Sequence, residues 1–384
     1  MKKALLGCFI AGLLLWNIPN LANAQEHIPL TYRYLWDIDH PEEWQMLSRG
    51  FSITGTVTGM IWGANDELLL CDRNNAYVLR LTREGELVQI IGGEGAGPGE
   101  FRDPQAIGID RQSNDIWVYD EGLHRYSIFT NREGTYRYLD SFHATLLRDN
   151  ERNLVIEGTG QFWRCGAVQT ALSDPASTEK SRIKLMDTEG NILRGFGPLW
   201  EVSESSPWAM LGSELLNTGT LVELPGDRLA FTWRHRPIME IWTKEGELVM
   251  QRQFAEPFWH PRVVPSHRGY TSTAPVFRNE VRYDSEGNLL FILAKIDIGE
   301  SGRALAFVGL DPETLQEMES YYVEIPGAKQ YKISREARIP SVEETGIPAF
   351  SLTAFLVYRD NGEVRFVGTD SKTLSLMEFR PEIH

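Results

Sequence analysis

Short runs of alternating apolar and polar residues, a pattern typical of β-strands, fill most of the chain. Between residues 58 and 91 four such runs follow one another, separated by polar turns. One turn, Arg83-Glu84-Gly85-Glu86, places glycine where a positive φ lets an antiparallel hairpin close. The pattern therefore predicts an all-β protein built from consecutive antiparallel strands.

This unit of four strands recurs along the chain. The groups lie at about 56–91, 104–140, 144–196, 218–254, 278–325 and 349–379, with 153–157 as the second strand of the third group. The sixth group has three strands, while the alternating segment 30–36 belongs to no group. We expect this segment to supply the missing strand. The predicted fold is a six-bladed β-propeller of four-stranded antiparallel blades, closed by an N-terminal strand.

A glycine-rich segment at 92–101 separates the first two groups, and its sequence is too rich in glycine and proline for a helix or an internal strand. Downstream of it come Asp103-Pro104, then Val118-Tyr119-Asp120, then His124-Arg125. In this order the residues resemble the repeat of NHL-type β-propellers. The resemblance implies that Arg125 braces a blade and that Asp120 caps a turn.

The amino terminus has the pattern of a secretory signal peptide. Lys2 and Lys3 precede an apolar run at 4–16, and Ala22-Asn23-Ala24 fits a cleavage site. We expect residues 1–24 to be removed, leaving 25–384 as a single propeller domain that is secreted or periplasmic. A lipoprotein signal at Cys8 is disfavoured, because the apolar segment follows this cysteine instead of preceding it.

Composition and charge narrow the range of partners. The chain is 42% hydrophobic, enough for an extensive core, and carries a net charge of −15. An acidic protein is a poor match for nucleic acid, and no segment after residue 24 is apolar and long enough to span a bilayer. We expect a monomer in which Cys71 and Cys165 are unpaired thiols, the alternative being a single disulfide.

The predicted blades have two different faces. Turns between the first and second and between the third and fourth strands lie on one side, the short-turn face, and they are tight. Turns between the second and third strands and links between blades lie on the other, the long-loop face. The long segments 158–181, 197–217, 255–277 and 327–348 map to that face and are rich in aromatic residues. Long loops on a rigid scaffold commonly carry function.

Basic residues are unexpectedly frequent on the predicted long-loop face of this acidic protein. Around the channel mouth they could attract a carboxylate or an acidic sugar, with aromatic rings as walls. The candidate ligand-binding residues are Arg73, His124, Trp163, Arg164, Arg234, His235, Arg236, Trp259 and Lys295.

The sequence favours a recognition module over an enzyme, binding a small anionic or carbohydrate-like ligand, or a peptide. The alternative is a metal-dependent lyase or lactonase with its site at the central channel, because the fold resembles that of peptidyl-hydroxyglycine amidating lyases and gluconolactonases. No histidines have metal-ligand spacing, and Asp72, Asp120 and Asp370 more often cap turns than bind a cation. We therefore expect no catalytic residues, no metal and no cofactor, with a divalent cation required only by the alternative.

Overall fold

The computed structural model confirms the predicted all-β architecture. It describes residues 28–36, 57–143, 154–158, 160–165, 181–203, 216–234, 236, 238–254, 262–266, 269–273, 280–297, 303–324, 352–370 and 375–382. Its named elements are strands, and each four-stranded unit is antiparallel with its strands in chain order. These units are the blades of a six-bladed propeller.

The strands follow the order that the sequence predicts. The segment β1 (Ile28–Trp36) comes first. The first two blades contain β2 (Val57–Trp62), β3 (Leu68–Asp72), β4 (Tyr77–Leu81), β5 (Leu87–Gly92), β6 (Pro104–Ile109), β7 (Ile116–Asp120), β8 (Arg125–Arg132) and β9 (Thr135–His143). The next two contain β10 (Val155–Gly158), β11 (Gln161–Cys165), β12 (Ser181–Asp187), β13 (Ile192–Pro198), β14 (Gly219–Leu224), β15 (Arg228–Trp233), β16 (Ile238–Thr243) and β17 (Leu248–Gln253).

A two-stranded hairpin precedes the last two blades. The hairpin consists of β18 (Arg262–Ser266) and β19 (Gly269–Thr273). The fifth and sixth blades contain β20 (Val281–Asp284), β21 (Leu289–Asp297), β22 (Arg303–Leu310), β23 (Glu317–Glu324), β24 (Leu352–Asp360), β25 (Glu363–Asp370) and β26 (Ser375–Pro381).

Two sequence predictions about loops are wrong. The third blade does not use 153–157 as its second strand, because β10 is its first strand and β11 its second. Residues 161–165 are thus strand, not part of a long loop from 158 to 181. The segment 255–277, expected to be irregular, contains the β18–β19 hairpin. Both misreadings share a cause, since short apolar runs interrupted by polar residues are ambiguous between strand and loop.

The N-terminal strand closes the ring as predicted. Residues 30–36 of β1 pair antiparallel with β26, which gives the sixth blade its fourth strand. Ile28 and Pro29 pair in parallel with Tyr321 and Tyr322 on β23 of the fifth blade. The β1 strand therefore joins the last two blades in one eight-stranded sheet.

The core lies between blades. Each of the six buried apolar clusters combines residues from two neighbouring blades, so every blade packs against both neighbours. The first strands of the blades, β2, β6, β10, β14, β20 and β24, contact one another in that order, and β24 contacts β2. These six inner strands surround a central channel. Cys71 and Cys165 are buried in different clusters and unpaired, which confirms the prediction of free thiols.

The glycine-rich segment forms a self-satisfied turn between the first two blades. The Phe101 amide donates to Gly93 O at 2.8 Å, and the Gly95 amide donates to Phe101 O at 2.9 Å. Arg125 donates through its guanidinium to the carbonyls of Ala96, Gly97 and Glu100. The predicted bracing role of Arg125 is confirmed, and these amides are used within the turn instead of being free to bind phosphate.

We predict that Gly99→Val destabilises this junction. Gly99 has a φ of 76°, and an added Cβ would lie 3.1 Å from the Tyr138 Cβ. Backbone strain of this kind costs about 1–3 kcal/mol. Gly134 is a matched control, because its φ is also 76° but an added Cβ there meets no atom within 4 Å. Thermal unfolding should place Gly99→Val below Gly134→Val, and equal melting temperatures would contradict the close packing against Tyr138.

Candidate functional site

The predicted ligand-binding residues that the structure describes lie at several separate positions. Arg73 lies in the turn after β3, where its guanidinium pairs with the Asp103 carboxylate at 2.8 Å. His124 is an exposed turn residue with a φ of 48°, before β8. Both positions are on the long-loop face, and Arg73 is engaged by a link between blades. Neither residue contacts the cluster of aromatic and basic residues found in the third and fourth blades.

Trp163 and Arg164 are buried in β11 and not exposed on a loop. The Trp163 indole N–H donates to the Glu157 carboxylate at 2.7 Å. The Arg164 guanidinium carbon lies 4.7 Å from the ring centre of Tyr119 and 5.4 Å from that of Tyr126. Burial lowers the pKa of Arg164 to about 10. Both side chains belong to the packing between the second, third and fourth blades.

His235 and Trp259 lie outside the described residues. The sequence placed Lys295 in a loop, but it lies in β21, where its backbone pairs with Leu305 on β22. The remaining two, Arg234 and Arg236, follow β15 on the long-loop face and are half-buried.

Arg236 lies against two indole rings. Its guanidinium carbon is 5.2 Å from the Trp200 ring centre and 4.9 Å from the Trp233 ring centre. The two indoles meet edge to face, with their centres 6.3 Å apart. Trp200 is held in the link before β14 by Asn217, whose side-chain oxygen accepts from the Trp200 amide at 2.6 Å. One link, the end of β15 and the turn that follows it thus bring these aromatic and basic groups together.

A buried ion pair supports this arrangement from below. Glu240 on β16 accepts hydrogen bonds from Arg182, from the Trp233 indole at 2.9 Å and from the Trp242 indole at 2.8 Å. The Arg182 guanidinium carbon also lies 3.9 Å from the Trp233 ring centre. Glu240 therefore fixes the ring on which Arg236 rests. We call Arg182, Trp200, Trp233, Arg236 and Glu240 the Arg236 cluster.

The Arg236 cluster carries an excess of positive charge. Burial lowers the pKa of Arg236, although the Glu240 carboxylate opposes the shift. Burial also lowers the pKa of Arg182, again opposed by Glu240, and the nearby charge of Arg236 lowers it further. Burial alone lowers the pKa of Arg234. Such shifts mark guanidinium groups that would gain energy from an added anion.

Within the described part of the chain, Arg234 and Arg236 have no carboxylate within salt-bridge distance. Glu240, the carboxylate of the Arg236 cluster, is engaged by Arg182. An arginine stacked on aromatic rings keeps the N–H donors at the edge of its guanidinium available for a carboxylate or phosphate. The arrangement can hold an anion beside an aromatic surface.

Sequence reasoning identified Arg234 and Arg236 on this face but missed Arg182, Trp233 and Glu240 as a unit. Arg182, Trp233 and Glu240 lie within regular strands. For the two charged residues, the sequence signal is a charge at a strand position that faces the core. Glu240 stands between Met239 and Ile241 in a buried strand, and Arg182 precedes Ile183 in another. Buried opposite charges on neighbouring blades indicate a pair, but the register between the blades is needed to match them.

The structure provides no ligand set for the metal-dependent alternative among the residues it describes, since none of their His, Cys, Asp and Glu side chains form a group of three suited to a metal ion. Asp72 accepts from the amides of Asn74 and Asn75, and Asp120 accepts from the amides of Arg102 and Leu123. Both therefore cap turns, as the sequence favoured. The side chain of Asp370 lies outside the described part.

Comparison with known proteins supports the fold more than the activity. A family model described as a six-bladed β-propeller, DUF5128, matches residues 56–151. No curated protein matches the chain. In the described residues there is also no helix long and apolar enough to cross a membrane.

Several solved structures are similar in fold. A protein of Bacteroides fragilis NCTC 9343 that is named as exported has a TM-score of 0.53 and 12% identity, covering 92% of this chain and 96% of its own. A DUF4221 family member from Bacteroides vulgatus has a TM-score of 0.52 and 10% identity, with coverage of 86% and 93%. A gluconolactonase from Xanthomonas campestris has a TM-score of 0.49 and 12% identity, with coverage of 92% and 90%. At these identities the likeness concerns the fold alone, and the chain is a six-bladed β-propeller.

Proposed function

We propose that this protein is an exported propeller of the NHL type, released after Ala24, that recognises a small ligand bearing a carboxylate. The ligand binds on the long-loop face at the Arg236 cluster. The observation that carries the proposal is the placement of Arg236, which is half-buried against two indole rings and has no carboxylate partner in the described residues.

The chemistry of the cluster favours an anion attached to a ring or a short apolar body. The guanidinium of Arg236 can donate two parallel hydrogen bonds to a carboxylate. Folding has already removed part of the hydration of this group, so ligand binding has less water to displace from it. The neighbouring Trp200 offers an aromatic surface of the kind that packs against a sugar ring or a peptide side chain. An acidic sugar and a peptide C-terminus both satisfy these requirements.

Local charge supports the same conclusion. The Arg236 cluster contains two guanidinium groups and one carboxylate, whereas the whole chain has a net charge of −15. Arg182 is compensated by Glu240, so Arg236 is the group left to attract a ligand. In an acidic protein a local positive site concentrates anions at that position.

Calorimetry with a small panel of carboxylates tests the proposal. The probes are galacturonate, glucuronate and trialanine with a free C-terminus, compared with galactose and C-terminally amidated trialanine. We expect at least one carboxylate to bind and the counterpart that lacks the carboxylate to bind less. Arg236→Gln should weaken that binding at least about tenfold, the effect of losing a charge-assisted hydrogen bond.

Arg137 provides the matched control, because it is exposed on β9, the last strand of the second blade, whereas the cluster belongs to the third and fourth blades. Arg137→Gln removes the same charge from the protein and should leave the affinity unchanged. The fluorescence of Trp200 and Trp233 should also respond to the ligand in the parent protein. The proposal is wrong if none of the carboxylates binds at millimolar concentration, or if both substitutions weaken binding equally.

A further inference from the structure

We propose that the channel contains a second ligand site, which opens on the short-turn face and accepts the apolar body of an amphiphilic carboxylate. This site does not depend on the Arg236 cluster, which lies on the opposite face. Its walls come from the inner strands, and its rim comes from the tight turns that follow them.

A cavity of about 510 Å³ occupies this end of the channel. All six inner strands contribute to its wall, which includes the partly exposed aliphatic residues Ile61, Ile109 and Val222. Its volume falls in the range of small-molecule sites, which are mostly apolar and carry a few polar groups that fix orientation. The rim includes Arg111, Asp227 and Ser285 from the turns of three blades.

The charged groups in the wall are compensated within the protein. Arg282 pairs with Glu280 and donates to the carbonyl of Phe355 on the neighbouring inner strand β24 and to that of Met60 on β2, the inner strand beyond it. Glu223 pairs with Lys244 at 2.7 Å. Because these charges already have partners within the protein, a ligand in the deep part of the cavity needs no charged group to neutralise them.

Inner strands also expose backbone acceptors toward a channel, and several of these acceptors are occupied. Besides the two carbonyls that Arg282 contacts, the Val357 carbonyl accepts from the Trp62 indole at 2.9 Å. The Ile107 carbonyl accepts from the Leu154 amide at 3.0 Å. Side chains and neighbouring blades thus satisfy part of the strand edges, so that a ligand body would meet the aliphatic side chains of the wall beside backbone whose acceptors are partly occupied.

The rim supplies an anion-binding group. Arg111 borders both this cavity and a neighbouring one of about 410 Å³. The other arginines of the neighbouring cavity are paired, Arg83 with Asp66 and Arg359 with Asp284, each at 2.7 Å. Arg111 is exposed and makes no hydrogen bond or ion pair with any residue that the structure describes. A ligand with its apolar body in the channel would place a terminal carboxylate beside Arg111.

Binding of straight-chain carboxylates tests this site, with calorimetry on hexanoate, octanoate and decanoate. Affinity should rise about fourfold per methylene, the gain from burying each CH₂. Val222→Phe narrows the cavity and should weaken decanoate binding more than hexanoate binding. Arg111→Gln should weaken octanoate binding about 1.5-fold to fivefold, the range for an exposed ion pair, and leave 1-octanol binding unchanged.

Controls separate this proposal from that for the long-loop face. Arg236→Gln should not alter octanoate affinity, and Arg111→Gln should not alter the affinity of the carboxylates that bind at the Arg236 cluster. Circular dichroism and thermal unfolding verify that Val222→Phe remains folded, and Leu356→Met is a second, gentler change of the same wall. Affinity that is independent of chain length would overturn the proposal. So would tighter binding of octylamine than octanoate, because the rim acid Asp227 would then be the dominant charge.

Discussion

Deleting β1 is expected to abolish the stable propeller. A protein that begins after residue 36 should lose cooperative thermal unfolding and should elute from gel filtration as aggregate, whereas one that begins at Gln25 should elute as a folded species. We expect the loss in the free energy of unfolding to be at least about 5 kcal/mol, the lower end of the stability of typical domains.

The physical reason is that β1 has two partners. It fills the open edge of β26 through residues 30–36 and reaches β23 with Ile28 and Pro29. Without it, the sixth blade has three strands and an open edge that can pair with another chain. Leu30, which is 7% exposed and packs in the cluster between the fifth and sixth blades, would also be lost from the core.

An ion pair adds to this closure. Arg33 on β1 donates to the Glu378 carboxylate on β26 at 2.5 Å. Burial tends to raise the pKa of Glu378, but the hydrogen bonds from Arg33 and Tyr358 outweigh it and hold the pKa below its usual range. Arg33→Ala keeps the strand and removes only this contact, so it should cost much less than the deletion. A peptide of residues 25–36 added to the shortened protein should restore cooperative unfolding. A shortened protein that is monomeric and unfolds cooperatively without the peptide would contradict the closure.

The general architecture could be predicted because it depends on local patterns. Alternation of apolar residues and glycine turns repeats every few dozen residues, and each repeat fits one blade. The role of β1 also followed from the sequence, because a sixth blade with three strands needs a fourth. Arg125 and Asp120 were placed correctly because their contacts lie within one repeat and its adjoining link.

The candidate site was predicted less well, because it depends on contacts between blades. Trp163 and Arg164 were assigned to a loop, yet they lie in the second strand of a blade whose first strand is only four residues long. Arg234 and Arg236 were grouped with basic residues from other blades, but Arg236 contacts indoles brought by its own blade and the preceding link. A list of basic residues on one face cannot distinguish those engaged by carboxylates, such as Arg73, from those left for a ligand.

Removing the guanidinium of Arg282 should destabilise the propeller strongly for a single substitution. Arg282 is 7% exposed and pairs with Glu280, which is 3% exposed, so Arg282→Met would leave a buried carboxylate without its partner. Breaking a buried pair in this way costs about 3–5 kcal/mol. The carbonyls of Phe355 and Met60 would also lose a donor, which loosens the contact between the fifth, sixth and first blades. Chemical denaturation with tryptophan fluorescence measures the change.

Two comparisons identify the cause of that loss. Arg228→Met removes an arginine from a surface pair with Glu313, whose side chain is 60% exposed, and should cost no more than about 1 kcal/mol. The double variant Arg282→Met with Glu280→Gln removes both charges and should recover part of the stability lost by Arg282→Met alone, because an amide is less costly to bury than an unpaired carboxylate. If Arg282→Met and Arg228→Met were equally mild, Arg282 would not brace the channel. If the double variant were less stable than Arg282→Met, the unpaired charge would not be the cause, and the hydrogen bonds to the inner strands would carry the effect.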